Sequence, residues 1–138
     1  MLLARDVMTE NVITLCVNDT VEDAIHTLLL NEISGAPVLD HTGSLAGLIS
    51  EYQLLSVVYN KRAKDEPITS FMTKDVIAVE DGAPLTEVAN RMIVNRIRRL
   101  PVVRKGRVVG VISRPDLLRF AISEAVPLET GLMLVGAR

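Results

Sequence analysis

Apolar positions along this chain alternate between two spacings. Two short β-rich runs, Val12-Ile13-Thr14-Leu15 and Val76-Ile77-Ala78-Val79, are each followed by a helical stripe. In the first stripe Val21, Ala24, Ile25, Leu28 and Leu29 recur at helical spacing, so one helix face is apolar. Thr20 and Asp23 form a capping box at its start. The second stripe is Leu85, Val88, Ala89, Met92 and Ile93, and Pro84 before it suits a first helical position. Two strands around a turn follow each stripe. The first set is Pro37-Val38-Leu39, the turn His41-Thr42-Gly43 and residues 45–49; the second is Pro101-Val102-Val103, the turn Arg104-Lys105-Gly106 and residues 107–112. A last helix closes each unit, over about 52–59 and about 115–122. Each unit therefore predicts β-α-β-β-α, and the fold class is α+β.

The two units are copies. Shifted by 64 residues, Met8-Thr9 falls on Met72-Thr73, Val12-Ile13 on Val76-Ile77, Asn31 on Asn95, Ile33 on Ile97 and Pro37-Val38 on Pro101-Val102. One residue drops out near Thr42. At a shift of 63, Gly43 then meets Gly106, Gly47 meets Gly110, Ile49-Ser50 meets Ile112-Ser113, and Leu54-Leu55 meets Leu117-Leu118. Two copies of this length read as similar units packed about a pseudo-two-fold axis, not as a solenoid. The division is 1–60 for the first repeat, 61–67 for a polar linker and 68–122 for the second. A tail over 123–138 follows, whose Leu128, Leu132, Met133, Leu134 and Val135 suit an apolar groove. Met8 and Met72 read as plugs between the repeats.

The order Met-Thr, Val-Ile, helix, Ser34-Gly35-Ala36-Pro37-Val38, Gly47-Leu48-Ile49-Ser50 and Leu54-Leu55 resembles a CBS domain, the module named after cystathionine β-synthase. The second copy, with Leu100-Pro101-Val102-Val103 and Gly110-Val111-Ile112-Ser113-Arg114-Pro115-Asp116, resembles it more closely still. The resemblance covers residues 4 to 122 and implies a tandem CBS pair, or Bateman module. Such modules bind adenosine nucleotides between the repeats and often form flat dimers.

The chemistry centres on 110–116, where a strand runs into a helix N-terminus that favours a phosphate. Ser113 adds a hydroxyl donor, Gly110 permits close approach, and the two oxygens of Asp116 suit a ribose diol. Ser113-x-x-Asp116 is equally a helix cap. The resemblance implies that this cleft also takes Thr9, Asn11, Ile13, Ile33 and Ser34. Backbone around Ile13 would read an adenine edge, with Ile33 and Val111 on its faces. Core packing is the rival role for Ile13, Ile33 and Val111, and a strand-entry turn for Thr9. In the first copy Ser50-x-x-Gln53 keeps the cap but loses the carboxylate. A second cleft built on Ser50 and Gln53 is thus expected to be degenerate.

Charge sharpens this picture. Residues 91–107 carry Arg91, Arg96, Arg98, Arg99, Arg104, Lys105 and Arg107 and no acid, whereas the first 58 residues carry Arg5 as their one basic residue against eight acids. Arg98 is the candidate phosphate contact, since guanidinium binds phosphate bidentately. A solvated face, or pairing with the acidic repeat across a dimer, is the alternative for these arginines.

Composition excludes several classes. With 138 residues, 49% of them apolar, the chain builds a core, and with 3% aromatics that core is aliphatic. Two Phe and two Tyr supply no stacking platform for single strands, and the net charge is −2, so nucleic-acid binding is not expected. One cysteine, Cys16, and two histidines, His26 and His41, provide no disulfide or metal cage, and no site for a required cofactor is expected. No nucleophile–base pair or paired acid and base is visible, so an enzyme is not expected. No signal-like start or membrane-length apolar run occurs, and a cytoplasmic location is expected. The expected function is regulatory: binding AMP, ADP, ATP or S-adenosylmethionine between repeats and acting through shape or association. The expected partners are a second copy and a regulated enzyme or transporter. The alternative is a ligand-free structural dimerisation module.

Overall fold

A computed structural model describes residues 1–125; the apolar tail positions from Leu128 to Val135 lie outside them. The elements in order are α1 (Ala4–Val7), β1 (Leu15–Cys16), α2 (Val21–Leu30), β2 (Gly35–Leu39), β3 (Leu45–Ser50) and α3 (Glu51–Leu54). Three 3₁₀ turns follow, at Leu55–Val58, Lys61–Asp65 and Ile68–Ser70. The second half holds β4 (Val79–Glu80), α4 (Leu85–Asn95), β5 (Arg99–Arg104), β6 (Arg107–Ser113) and α5 (Arg114–Ala125). Two three-stranded sheets result, β1-β2-β3 and β4-β5-β6, each with one parallel and one antiparallel pairing.

The expected helices form where the apolar stripes run. Thr20 Oγ1 accepts from the Asp23 N–H at 3.1 Å and Asp23 Oδ2 accepts from the Thr20 N–H at 2.9 Å, completing the capping box of α2. The Thr20 backbone N–H, with a smaller part from the Thr20 side chain, holds the Asp23 carboxyl below its ordinary range. Pro84 sits one residue before the first residue of α4. The closing helix of the first repeat is shorter than its periodicity predicts. It is α-helical over Glu51–Leu54 and then tightens to 3₁₀ over Leu55–Val58, where the β-branched pair Val57-Val58 favours α-helix weakly. The polar linker also folds, its Lys61–Asp65 turn burying Ala63.

The first strand of each repeat differs from expectation. Pairing begins three residues later than the β-rich runs predict, at Leu15 opposite Val38 and at Val79 opposite Val102. Residues 12–14 and 76–78 are irregular. The parallel register sets β1 against the far end of β2, so Val12 and Ile13 are left to line a cavity instead.

Two aliphatic cores form, and they exchange their first segments. The core of the first lobe joins Leu28, Val38 and Ile49 to Ile68, with Phe71 and Met72 packed against it. The core of the second joins Val88, Val102 and Ile112 to Ala4 and Val7, with Met8 packed against it. Ala4, Val7 and Met8 are the repeat equivalents of Ile68, Phe71 and Met72, so each repeat lends its opening segment to the other lobe. Backbone pairs seal the exchange. Thr9 and Val111 exchange N–H···O bonds at 2.9 and 3.0 Å, and Leu48 and Thr73 exchange two at 2.9 Å. Sequence repeat and packing unit are therefore different objects in this molecule. The methionines plug between the halves as expected: a Cβ on Gly110 would collide with Met8, and one on Gly47 with Met72.

Candidate functional site

The lobes form an open cavity of about 590 Å³ between them, within the range of small-molecule sites. Its walls are the 9–13 loop, the 33–37 entry to β2, Leu48 and Ser50 of β3, the 97–101 entry to β5, and Val111, Ser113 and Asp116. Thr9, Asn11, Ile13, Ile33, Ser34, Arg98, Val111, Ser113 and Asp116 all line this one cavity. Ile13 is 38% exposed and belongs to neither core. Ile33 is half-buried and packs partly on the first-lobe core. Thr9 ties its backbone to Val111 across the lobes.

The junction of β6 and α5 forms a helix cap at the wall of the cavity. The Ser113 N–H donates to Asp116 Oδ2 at 3.0 Å, and the Asp116 N–H donates to Ser113 Oγ at 3.4 Å. Arg119 donates to Asp116 Oδ1 at 2.8 Å. The cap is formed, and the same carboxylate lines the cavity. Burial pushes the Asp116 carboxyl up. The backbone and side-chain hydrogen bonds with Ser113 and the ion pair with Arg119 together outweigh it, so the net displacement is downward. A carboxylate stays charged and accepting at neutral pH.

The first-lobe counterpart is wired differently. Gln53 Oε1 accepts from the Ser50 N–H at 2.9 Å, and Gln53 Nε2 donates to Thr73 Oγ1 at 2.7 Å. The amide is engaged at both ends where Asp116 offers charge. Ser50 opens onto the same cavity as the nine residues above, whereas Gln53 does not line it. Gly110 permits a close approach, and the neighbour it admits is the Met8 side chain.

Arg99, the neighbour of the candidate Arg98, also lines the cavity. It is half-buried and stands opposite Ser113 in the β5–β6 ladder. The Arg98-Arg99 pair falls at the entry to β5, with Arg98 just outside the strand, so strand alternation does not separate the two. Neither arginine forms an ion pair among the described residues. Arg104, Lys105 and Arg107 are exposed at the β5–β6 turn, with Arg104 bound to Asp81.

A cavity walled by two exchanged, repeat-related α+β lobes defines a class of tandem-repeat modules. The chain belongs to the CBS-domain family: the CBS domain model matches residues 4–60 and 68–123. An uncharacterized protein of Methanocaldococcus jannaschii is 38% identical over 120 residues, covering 87% of this chain and 43% of that protein. The inosine-5'-monophosphate dehydrogenase of the same organism is 32% identical over 136 residues, 97% of this chain and 27% of the enzyme. The chain thus spans less than half the length of these two relatives. Among solved structures, CBSX2 of Arabidopsis thaliana in complex with AMP superposes with a TM-score of 0.79 at 27% identity, covering 89% of this chain and 98% of that one. The CBS domain pair of protein MJ0100, in complex with 5'-methylthioadenosine and S-adenosyl-L-methionine, gives 0.76 at 26% identity, covering 90% and 98%.

Proposed function

We propose that this chain is a regulatory module that binds an adenosine nucleotide or a related adenosyl ligand in the inter-lobe cavity. Ligand contacts to both lobes favour one arrangement of the pair and so carry a signal. The observation that carries the reading is convergence. Apolar walls at Ile13, Ile33 and Val111, a charged acceptor at Asp116 and guanidiniums at Arg98 and Arg99 meet in one cavity. That set matches a base, a ribose and a phosphate in order of chemistry. The ligands held by CBSX2 and the MJ0100 pair support it.

A second copy of the chain is part of the proposal. The helical sides of both lobes expose apolar side chains, Leu29 at 64%, Leu55 at 54%, Ile93 at 73% and Leu118 at 64%. The same exposure favours the alternative, a structural dimerisation module without ligand. The regulated partner, on this reading, is an enzyme or transporter that senses the module's shape. No described helix is long and apolar enough to cross a membrane.

A thermal-shift panel of AMP, ADP, ATP, NADH and S-adenosylmethionine tests the binding reading. A ligand specific to the folded state adds about 2.7 kcal/mol at a hundred times its Kd, which raises Tm by several degrees. At least one adenosine compound is expected to do so. No shift with any of them at millimolar concentration overturns the binding reading and leaves the dimerisation module.

A further inference from the structure

We propose that two copies of this chain pair head-to-tail, the acidic helical side of the first lobe of each copy against the basic helical side of the second lobe of the other. This rests on the reading that a second copy covers the helical sides, and it fixes which lobe meets which.

The second lobe carries an apolar groove of about 930 Å³ between α4 and α5. Ile93, Leu117, Leu118 and Phe120 line it, together with Arg96 and Arg114. The repeat relation places Leu29, Leu54 and Leu55 at the matching positions of the first lobe. It places Glu32 where Arg96 stands and Glu51 where Arg114 stands. The match extends to the backbone, since Glu32 and Arg96 each follow their helix at a φ of 53°. All four charged residues are exposed. None of them forms an ion pair among the described residues. Residues 21–60 contain no Lys or Arg, and the nearest cations, Lys61, Arg62 and Lys64, share the Lys61–Asp65 turn beside α2 with Asp65.

Exposed apolar groups on both lobes supply the drive to associate, because their burial removes them from water. The charges set the orientation. A head-to-head pair brings Glu32 and Glu51 onto their own copies and Arg96 and Arg114 onto theirs, so like charges meet in both halves. A head-to-tail pair sets Glu32 and Glu51 against Arg96 and Arg114 in both halves. Both arrangements are closed two-fold pairs, in which each contact occurs twice, so the charge preference counts twice. Like-charge juxtaposition is the element that rejects the wrong partner geometry.

The test uses the whole chain. Light scattering first establishes the oligomeric state, and a monomer removes both the pairing reading and this proposal. Cys16→Ser then clears the native thiol, and Leu55→Cys and Leu118→Cys are introduced in separate chains. A short bis-maleimide is expected to cross-link dimers only when the two variants are mixed and re-equilibrated. Efficient cross-linking within either variant alone overturns the head-to-tail orientation while leaving the pairing reading intact. Independently, Glu32→Arg with Glu51→Arg is expected to weaken self-association about tenfold or more, and adding Arg96→Glu with Arg114→Glu to restore it. Unaltered association in the first pair, with circular dichroism confirming the fold, also overturns the orientation.

Discussion

Asp116→Asn is expected to remove the ligand-induced thermal shift while leaving the unliganded protein folded and only slightly less stable. The asymmetry follows from what the carboxylate does in each state. In the free protein Asp116 accepts from the Ser113 N–H and pairs with Arg119, whose side chain is 70% exposed. An asparagine oxygen still accepts the first bond. The lost pair is largely solvated and contributes well under about 1 kcal/mol. Loss of a negative charge in the first turn of α5 costs about 0.3–1 kcal/mol more. In the complex the carboxylate is proposed to accept two ribose hydroxyls, and hydrogen bonds to a charged group contribute about 1.5–3 kcal/mol each. Losing one such bond weakens binding by roughly ten- to a hundredfold. Calorimetric titration of both proteins with whichever compound shifts the wild type checks this. Equal affinities would return Asp116 to a purely capping role.

The same residue predicts an acid-side effect. Its folded-state pKa lies below the ordinary carboxylate value. Its contribution to stability is therefore fully present above the unfolded-state pKa and is lost as pH falls through the folded one. The acid limb of a Tm-versus-pH curve is expected to be shallower in Asp116→Asn than in the wild type. Superimposable limbs would mean that the carboxylate is not held in its charged form by the fold.

Gly110→Ala is expected to destabilise the whole protein, because the added methyl group meets a side chain from the exchanged segment. A Cβ at 110 would lie within 2.9 Å of Met8 Cβ and closer still to its Cγ and Sδ. The methionine's tip is flexible, but its Cβ is fixed by the backbone that pairs Thr9 with Val111. Relief therefore requires the segment to move, and overpacking of this kind costs about 1–3 kcal/mol. Thermal or urea unfolding should show a fall of several degrees or a lowered midpoint. Met8→Ala placed with Gly110→Ala should recover part of the loss, since contacting residues do not add independently. A Gly110→Ala melting curve matching the wild type would show that Met8 repacks freely and that the lobes are not interlocked there.

Much of this molecule is legible in the order of its residues. The stripes at Val21–Leu30 and Leu85–Asn95, the capping box of Thr20 and Asp23, and the turns at Gly43 and Gly106 are local features, governed by neighbours a few positions away. The duplicated pattern then supplies the pairing of lobes. The repeats also expose departures from symmetry, Gln53 against Asp116 and Glu32 against Arg96, because each copy is a control for the other.

What the chain order leaves open depends on contacts between distant segments. Nothing local tells Ala4 and Val7 to join the second core rather than the first; that choice is made where Met8 finds the gap left by Gly110. Nothing in the β-rich run at 12–15 says that pairing starts only at Leu15; the parallel register against Val38 decides it. The cavity depends on both choices, since Thr9 reaches it through the exchange and Ile13 through the shortened strand. The sequence by itself determined the elements, the duplication and the residue types available for chemistry, because periodicity, capping and charge act over one or two turns of chain. The tertiary structure alone decided which lobe each opening segment completes and which side chains share one wall, because those outcomes depend on packing between residues far apart in the chain.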